Sequence, residues 1–206
     1  MKTKTFVVGA VSTNCYVFYD EGTSACVIID PGAPSKAILD FISENELVPQ
    51  AILLTHGHFD HIMGIDFIKS EYEIPVYIYE DELPLIKNPA LNVSDHFGLA
   101  YGYKGALPVK EGQVLSEDGM HFQVLHTPGH TKGSCCYYNP AKGVLFTGDT
   151  LFKGSIGRTD VPTSDPGKIL HSIKEQLLIL PEDVVVYPGH GNPTSIRFEI
   201  EHNPYL

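Results

Sequence analysis

Apolar residues along the chain alternate between two rhythms. Thr5–Val11, Cys15–Tyr19 and Cys26–Ile29 are β-branched and aromatic runs parted by Ser-Thr-Asn and Asp-Glu-Gly-Thr turns, so three strands are predicted. The third stops at Asp30-Pro31-Gly32. From Pro34 to Leu47 the apolar residues Ala37, Ile38, Phe41 and Ile42 fall at helical spacing, with Ser35 available to cap. Ala51–Leu54 is a short continuous apolar run, the mark of a strand covered on both faces. A helix over Met63–Ile68 and a strand over Val76–Tyr79 come next. Between Pro84 and Lys110 no period holds, and the pattern predicts a long loop of the kind that often carries function. Strands resume at Phe122–Leu125, Ser134–Tyr138 and Val144–Thr147. A helix over Asp165–Leu178 puts Ile169, Leu170, Ile173, Leu177 and Leu178 on one face, with Pro166 in its first turn. Val184–Tyr187 is the last strand, and with no linker or low-complexity segment residues 1–206 read as one domain.

Composition narrows the class. Hydrophobic residues make up 43% and charged residues 19%, which suits a folded globular chain. Fourteen basic against 25 acidic side chains leave a net charge of −11. That argues against a nucleic-acid binder, which needs a basic stripe, and disfavours an anionic membrane surface. No apolar run approaches the ~20 residues of a bilayer span. The opening Met1–Gly9 lacks the roughly 7–15-residue apolar stretch of a secretory signal. The four cysteines form no C-x-x-C pair and no disulfide framework. A cytoplasmic setting, with neither nucleic acid nor membrane as partner, is the expectation.

The ten histidines change the picture. Thr55-His56-Gly57-His58-Phe59-Asp60-His61 follows the buried strand directly. In an extended segment residues i and i+2 point the same way, so His56 and His58 can grip one ion. Asp60 and His61 come after the chain turns and can reach a second. Four such groups in six residues make a costly desolvated cluster unless a metal satisfies them. Two strands also end in a Pro-Gly-His bend, Pro128–His130 and Pro188–His190. His126 and His130 are no helical pair, because Pro128-Gly129 lies between them. His126 reads as structural, His96, His121, His171 and His202 as ordinary polar residues. Asp30 suits either support of a metal-bound histidine or the close of a strand.

His-x-His-x-Asp-His followed by His130, Asp149 and His190 resembles the metallo-β-lactamase fold superfamily. Ile29-Asp-Pro-Gly32, Thr127-Pro-Gly-His-Thr131 and Thr147-Gly-Asp-Thr-Leu-Phe152 extend the match along the whole chain. Within the superfamily the chain is similar to the hydroxyacylglutathione hydrolase (glyoxalase II) branch, in its compact bacterial form. The resemblance implies an α/β (α+β) fold, an αββα sandwich of two mixed sheets flanked by helices. It implies two divalent ions, zinc first with iron or manganese as alternatives. His56, His58 and His130 would hold one ion, Asp60, His61 and His190 the other, with Asp149 bridging. The implied reaction is hydrolysis of an S-2-hydroxyacylglutathione thioester by a hydroxide bridging the metals and oriented by Asp60. In that branch a loop cation meets the glycine carboxylate of glutathione; Arg158 stands at the matching position, with Lys153 nearby. Only Gly191–Leu206 follows the last ligand, which implies a more open thiol site than full-length glyoxalase II enzymes have.

The second reading is a persulfide dioxygenase, with one iron held by His56, His130 and Asp149. A lactonase remains open on ligands alone. A secreted β-lactamase fits poorly without a signal sequence, and a tRNA nuclease fits poorly at −11. Two dications outweigh two ligand carboxylates and a hydroxide, so the site itself welcomes a small anionic thioester.

Overall fold

A computed structural model describes residues Met1–Leu206. Strands β1 (Lys2–Val8) and β2 (Thr13–Tyr19) form a hairpin, in register from Lys2 opposite Tyr19 to Val8 opposite Thr13. The first strand thus starts and ends earlier than predicted. Gly9 and Ser12 take φ of 70° and 60° in the turn, which lifts Val11 out of the sheet and leaves it 37% exposed. Strand β3 (Ala25–Ile29) pairs antiparallel with β2, and β4 (Val48–Leu54), β5 (Val76–Tyr79) and β6 (Leu107–Val109) then add in parallel. The first sheet therefore runs β1-β2-β3-β4-β5-β6 and is mixed.

The second sheet contains β7 (Val114–Glu117), β8 (Met120–His126), β9 (Cys135–Asn139) and β10 (Val144–Gly148). After a small separate hairpin, β11 (Leu151–Phe152) with β12 (Ser155–Ile156), it is completed by β13 (Val185–Pro188) and β14 (Thr194–Ser195). Its order is β14-β13-β10-β9-β8-β7, and β10 with β13 is its parallel pair.

Alternation along the strands builds three layers of core. Ala25, Val27 and Ile29 of β3 and Ala51 and Leu53 of β4 face Phe122, Tyr137 and Phe146 of the second sheet. There Phe18 packs edge-on against Phe122 and Phe146 at 5.4 and 5.9 Å; each such fully buried side chain contributes about 2 kcal/mol. The opposite faces, Cys26 and Ile28 of β3 and Ile52 and Leu54 of β4, bury the helices α1 (Lys36–Glu44), α2 (Phe59–Ile62) and α3 (Ile65–Lys69). Between β5 and β6 lies α4 (Leu83–Ile86). On the far side, Ile169 of α5 (Pro166–Ser172) and Ile196 of α6 (Ile196–His202) cover the second sheet. This is the αββα layering expected. No helix is long and apolar enough to cross a membrane.

Several local expectations change. Ser35 holds the N-cap position of α1, but its side chain makes no capping bond. Of the helix expected over Met63–Ile68, only the part from Ile65 is helical, as α3; α2 ends before it at Ile62, and Met63 and Gly64 join the two. The supposed loop Pro84–Lys110 contains α4, a 3-10 turn over Ser94–Phe97, and β6, each too short to show a period. Helix α5 is capped by Asp165, whose side chain accepts from Gly167 N, and continues as a wider π turn over Ile173–Leu177.

Candidate metal centre

The polar motifs converge at one edge of the sandwich. Strand β4 delivers His56 and His58 in the extended segment before α2, and α2 carries Asp60 and His61. The bend after β8 brings His130, while Asp149 and His190 follow β10 and β13 directly.

His58 Nδ1 lies 3.1 Å from His56 Nε2 and 2.9 Å from His130 Nε2. Asp60 Oδ2 lies 3.5 Å from His61 Nε2 and 3.3 Å from His190 Nε2. Asp149 stands between these groups: Oδ1 is 3.4 Å from His61 Nε2, and Oδ2 is 3.6 Å from both His130 Nε2 and His190 Nε2. Three sets, His56/His58/His130, His56/His61/Asp149 and Asp60/His61/His190, each gather their ligand atoms within 4.8 Å. Every position that the sequence marked for metal is therefore in this cluster.

The hydrogen bonds around the cluster set the ring tautomers. His130 Nδ1 donates to the Arg158 carbonyl at 2.9 Å, and His61 Nδ1 donates to Asp30 Oδ2 at 3.0 Å. In its neutral, metal-binding form each ring therefore turns a bare Nε2 lone pair inward. Asp30 is itself held by the Thr55 amide (2.8 Å) and the Thr55 hydroxyl (2.7 Å), so its role is support of His61. Thr13 Oγ1 donates to Asp60 Oδ2 at 2.8 Å. The inward atoms His61 Nε2 and Asp149 Oδ1 are buried with no hydrogen-bond partner. His58 Nδ1 can donate to only one of the two ring nitrogens beside it, His56 Nε2 and His130 Nε2. A divalent ion satisfies all these lone pairs at once, so the donor set fits metal.

Electrostatics divides the cluster in two. Burial, reinforced by neighbouring histidines, keeps His56 and His130 neutral and lowers His58 to about 3. Burial also opposes charge on His61, but Asp60, Asp30 and Asp149 outweigh it and raise its pKa. Burial likewise opposes charge on His190, but the bond to Asp60 and the nearby Asp149 and Asp60 carboxylates together raise its pKa. Burial works against ionisation of Asp60 and Asp149, yet the imidazolium of His61 beside them, helped by other histidines, holds both below the usual carboxylate range.

The cluster opens into a cavity of about 190 Å³. His58, Asp60, His130, Asp149 and His190 line it together with Val11, Phe59, Val93, Phe97 and Val161, and Arg158 completes the lining. Arg158 is exposed and its guanidinium is doubly bonded to Asp160 at 2.6 and 2.8 Å. Lys153 lies outside the lining, its ammonium 5.1 Å from the Phe198 ring centroid. His126 stacks on Tyr79 at 4.1 Å and bonds the Lys132 carbonyl, away from the cluster. His96, His121, His171 and His202 also lie outside it.

Sequence reasoning missed Glu82. It is fully buried and bonds the Gly57 amide through Oε2 and the Gly133 amide through Oε1, both at 2.8 Å. It thereby ties the His56–His58 segment to the loop that follows His130. No motif marks it, because it acts on backbone amides.

Residues 8–190 match the family model of the metallo-beta-lactamase superfamily. The chain belongs to that superfamily. As a member it is a metal-dependent hydrolase, and its histidine and aspartate cluster is a metal-binding site. Among relatives, it is 38% identical to the "Probable metallo-hydrolase YqgX" of Bacillus subtilis, over 100% of this chain and 98% of that one. It is 35% identical to "Hydroxyacylglutathione hydrolase GloC" of Haemophilus influenzae, again over 100% and 98%. Among solved structures, BLEG-1 B3 metallo-beta-lactamase superposes with a TM-score of 0.95 at 40% identity, covering 100% of this chain and 99% of that one. TTHA1623 in a di-iron-bound form gives 0.87 at 37%, covering 98% and 100%. ETHE1 from Myxococcus xanthus gives 0.81 at 28%, covering 99% and 84%.

Proposed function

We propose that the protein is a thioesterase that cleaves S-2-hydroxyacylglutathione thioesters, of which S-lactoylglutathione is the simplest. The observation that carries this reading is the pair of ligand sets around one carboxylate, Asp149, in the lining of a cavity that also includes the cation Arg158. The relation to the Haemophilus hydrolase supports the choice of substrate. Four free, buried cysteines suit a reducing, cytoplasmic compartment.

His56, His58 and His130 would hold one divalent ion and Asp60, His61 and His190 a second, with Asp149 shared. Zinc suits these N/O donors, and iron, found in TTHA1623, is the alternative. Bound there, the metal supplies a Lewis acid for the acyl oxygen and brings the pKa of water towards neutrality. The chain's own groups do the rest. Asp60, ionised and fixed through Oδ2 by the Thr13 hydroxyl, accepts a hydrogen bond from the attacking water and aims it at the acyl carbon. Asp30 and the Arg158 carbonyl hold His61 and His130 in the tautomers that leave Nε2 free. Water adds to the carbonyl, the carbon–sulfur bond breaks, and the products are a 2-hydroxy acid and a thiol. The thiol, with a pKa of about 8.5, departs without a dedicated general acid.

The test is hydrolysis of S-lactoylglutathione by zinc-loaded and iron-loaded protein beside His58→Ala. Turnover no faster than the variant's overturns the reading. Two further substrates belong in the same experiment. The likeness to ETHE1 makes oxygen uptake on glutathione persulfide the rival outcome, and the likeness to BLEG-1 makes β-lactam opening the other.

A further inference from the structure

The apolar residues of the cavity lining take no part in the reaction outlined above, yet the segment that carries Val93 and Phe97 is firmly built. Phe97 is 54% exposed and its ring lies 4.5 Å from that of Phe59, at 33°. Val93 takes φ of 68°, a left-handed conformation unfavourable for a β-branched residue. Such a conformation persists only where neighbours impose it, and it clusters at sites of ligand contact. The neighbours here are polar and buried. Asn92 accepts from Ser94 N at 3.0 Å and donates to the Tyr101 carbonyl at 2.8 Å. Ser94 Oγ bonds both the amide and the carbonyl of Tyr101 at 3.0 Å. The Phe59 amide, one residue after His58, donates to the Asn92 carbonyl at 2.9 Å. The segment carrying Val93 and Phe97 is thus fixed to the same turn that presents the ligands.

Size and charge say what this lining meets. A dry apolar cavity of about 150 Å³ takes up a benzene, so the cavity of about 190 Å³ here has room for an acyl end that carries a ring. The one cation of the lining, Arg158, is exposed and already matched by Asp160. Discrimination then falls to the acyl end.

We propose that Val93, Phe97 and Phe59 form an acyl-group pocket, and that the enzyme prefers 2-hydroxyacyl thioesters with an aromatic or bulky apolar substituent over those with a methyl. This rests on the thioester reading. The experiment compares kcat/KM for S-mandeloylglutathione, which carries a phenyl, with that for S-lactoylglutathione, which carries a methyl. Wild type, Phe97→Ala and Val93→Gly are measured, all zinc-loaded. The expected preference for mandeloyl in wild type is about tenfold, falling to near unity in both variants, the effect of losing an apolar contact. Val93→Gly also relieves the left-handed strain, so a lower preference without lower stability separates recognition from folding. Equal use of the two thioesters by wild type, or an unchanged ratio in Phe97→Ala, overturns the proposal. Calorimetric binding of mandelate against lactate is measured on the same samples. If neither thioester is cleaved, the reaction assigned above fails, and the acids decide the pocket. Tighter mandelate binding that is lost in Phe97→Ala upholds it, and equal binding of the two acids overturns it.

Discussion

Glu82→Ala separates the scaffold of the metal centre from its ligands. The carboxylate touches none of the seven clustered side chains, yet its two oxygens accept from the amides of Gly57 and Gly133. The approach is close: a Cβ on Gly133 would stand 2.8 Å from the Glu82 amide nitrogen and 2.9 Å from Glu82 Cγ. Removing the side chain leaves two buried N–H groups without partners, at about 1–3 kcal/mol each, and a small void adds to that. Against this stands the relief of burial, which raises the pKa of the carboxyl and so marks the ionised form as costly. The net expected loss is about 3–4 kcal/mol, a large part of the ~5–15 kcal/mol that a domain commands. Glu82→Gln keeps one acceptor and should lose about half as much.

Urea unfolding of metal-free and zinc-loaded protein measures the stability term. A competing chromophoric chelator measures zinc affinity, which should fall by about 10–100-fold in Glu82→Ala, because the segments bearing His56, His58 and His130 are no longer held at one spacing. Unfolding within about 1 kcal/mol of wild type together with unchanged zinc affinity would refute the reasoning.

Three other outcomes follow from the same geometry. Asp30→Ala removes the partner of His61 Nδ1, so the second of two zinc equivalents should bind about 10–100-fold more weakly in a chelator titration while the first is little changed; equal weakening of both would contradict the division into two sets. The metal-free protein should be most stable near pH 6.5, as read from urea midpoints at pH 5, 6.5 and 8.5. His56, His58 and His130 are depressed in the fold, so the unfolded chain takes up protons first as pH falls below 6.5, whereas His61 and His190 are raised and their contribution is lost as pH rises through their folded values. A midpoint that does not fall between pH 6.5 and pH 8.5 would show that the raised pair contributes nothing. Asp160→Asn frees the Arg158 guanidinium, and KM for S-lactoylglutathione should fall about two- to fivefold with kcat unchanged, an advantage that 0.5 M salt erases because the pair is exposed. An unchanged KM would remove Arg158 from substrate binding.

What could be read from the sequence was whatever is local. His56, His58, Asp60 and His61 fall within one turn-sized segment, and their chemistry is conspicuous without any tertiary information. The strands that carry them are apolar runs, so β3, β4, β9, β10 and β13 were placed to within a few residues. Thr13, Glu82 and Asn92 escaped because each acts through a backbone amide, a carbonyl or a distant carboxylate, and no residue type announces that. The stretch from Pro84 to Lys110 escaped because its helix, 3-10 turn and strand are shorter than the window in which a period is visible. Lys153 shows that nearness in sequence does not give direction: it lies in the turn of the β11–β12 hairpin and extends over Phe198, away from the cavity that Arg158 lines.

The repeated Pro-Gly-His bend has a physical cause in the sheet. Strands β10 and β13 run parallel and side by side, with Gly148 opposite Pro188, so the residues that leave their ends, Asp149 and His190, emerge in the same direction. The approach there is tight: the Gly189 amide donates to the Gly148 carbonyl at 2.7 Å, and a Cβ on Gly189 would stand 2.2 Å from Asp149 Oδ1. Only glycine permits that crossing. On the other side of β10 the strand β8 lies one strand further off, beyond β9, and its chain also bends through Pro128-Gly129 before presenting a histidine. Both imidazoles then reach Asp149 Oδ2 at 3.6 Å. Two bends at unequal distances in the sheet thus converge on one carboxylate oxygen. The echo therefore needs no duplicated segment: it is what a sheet requires to bring two histidines to one aspartate from opposite flanks.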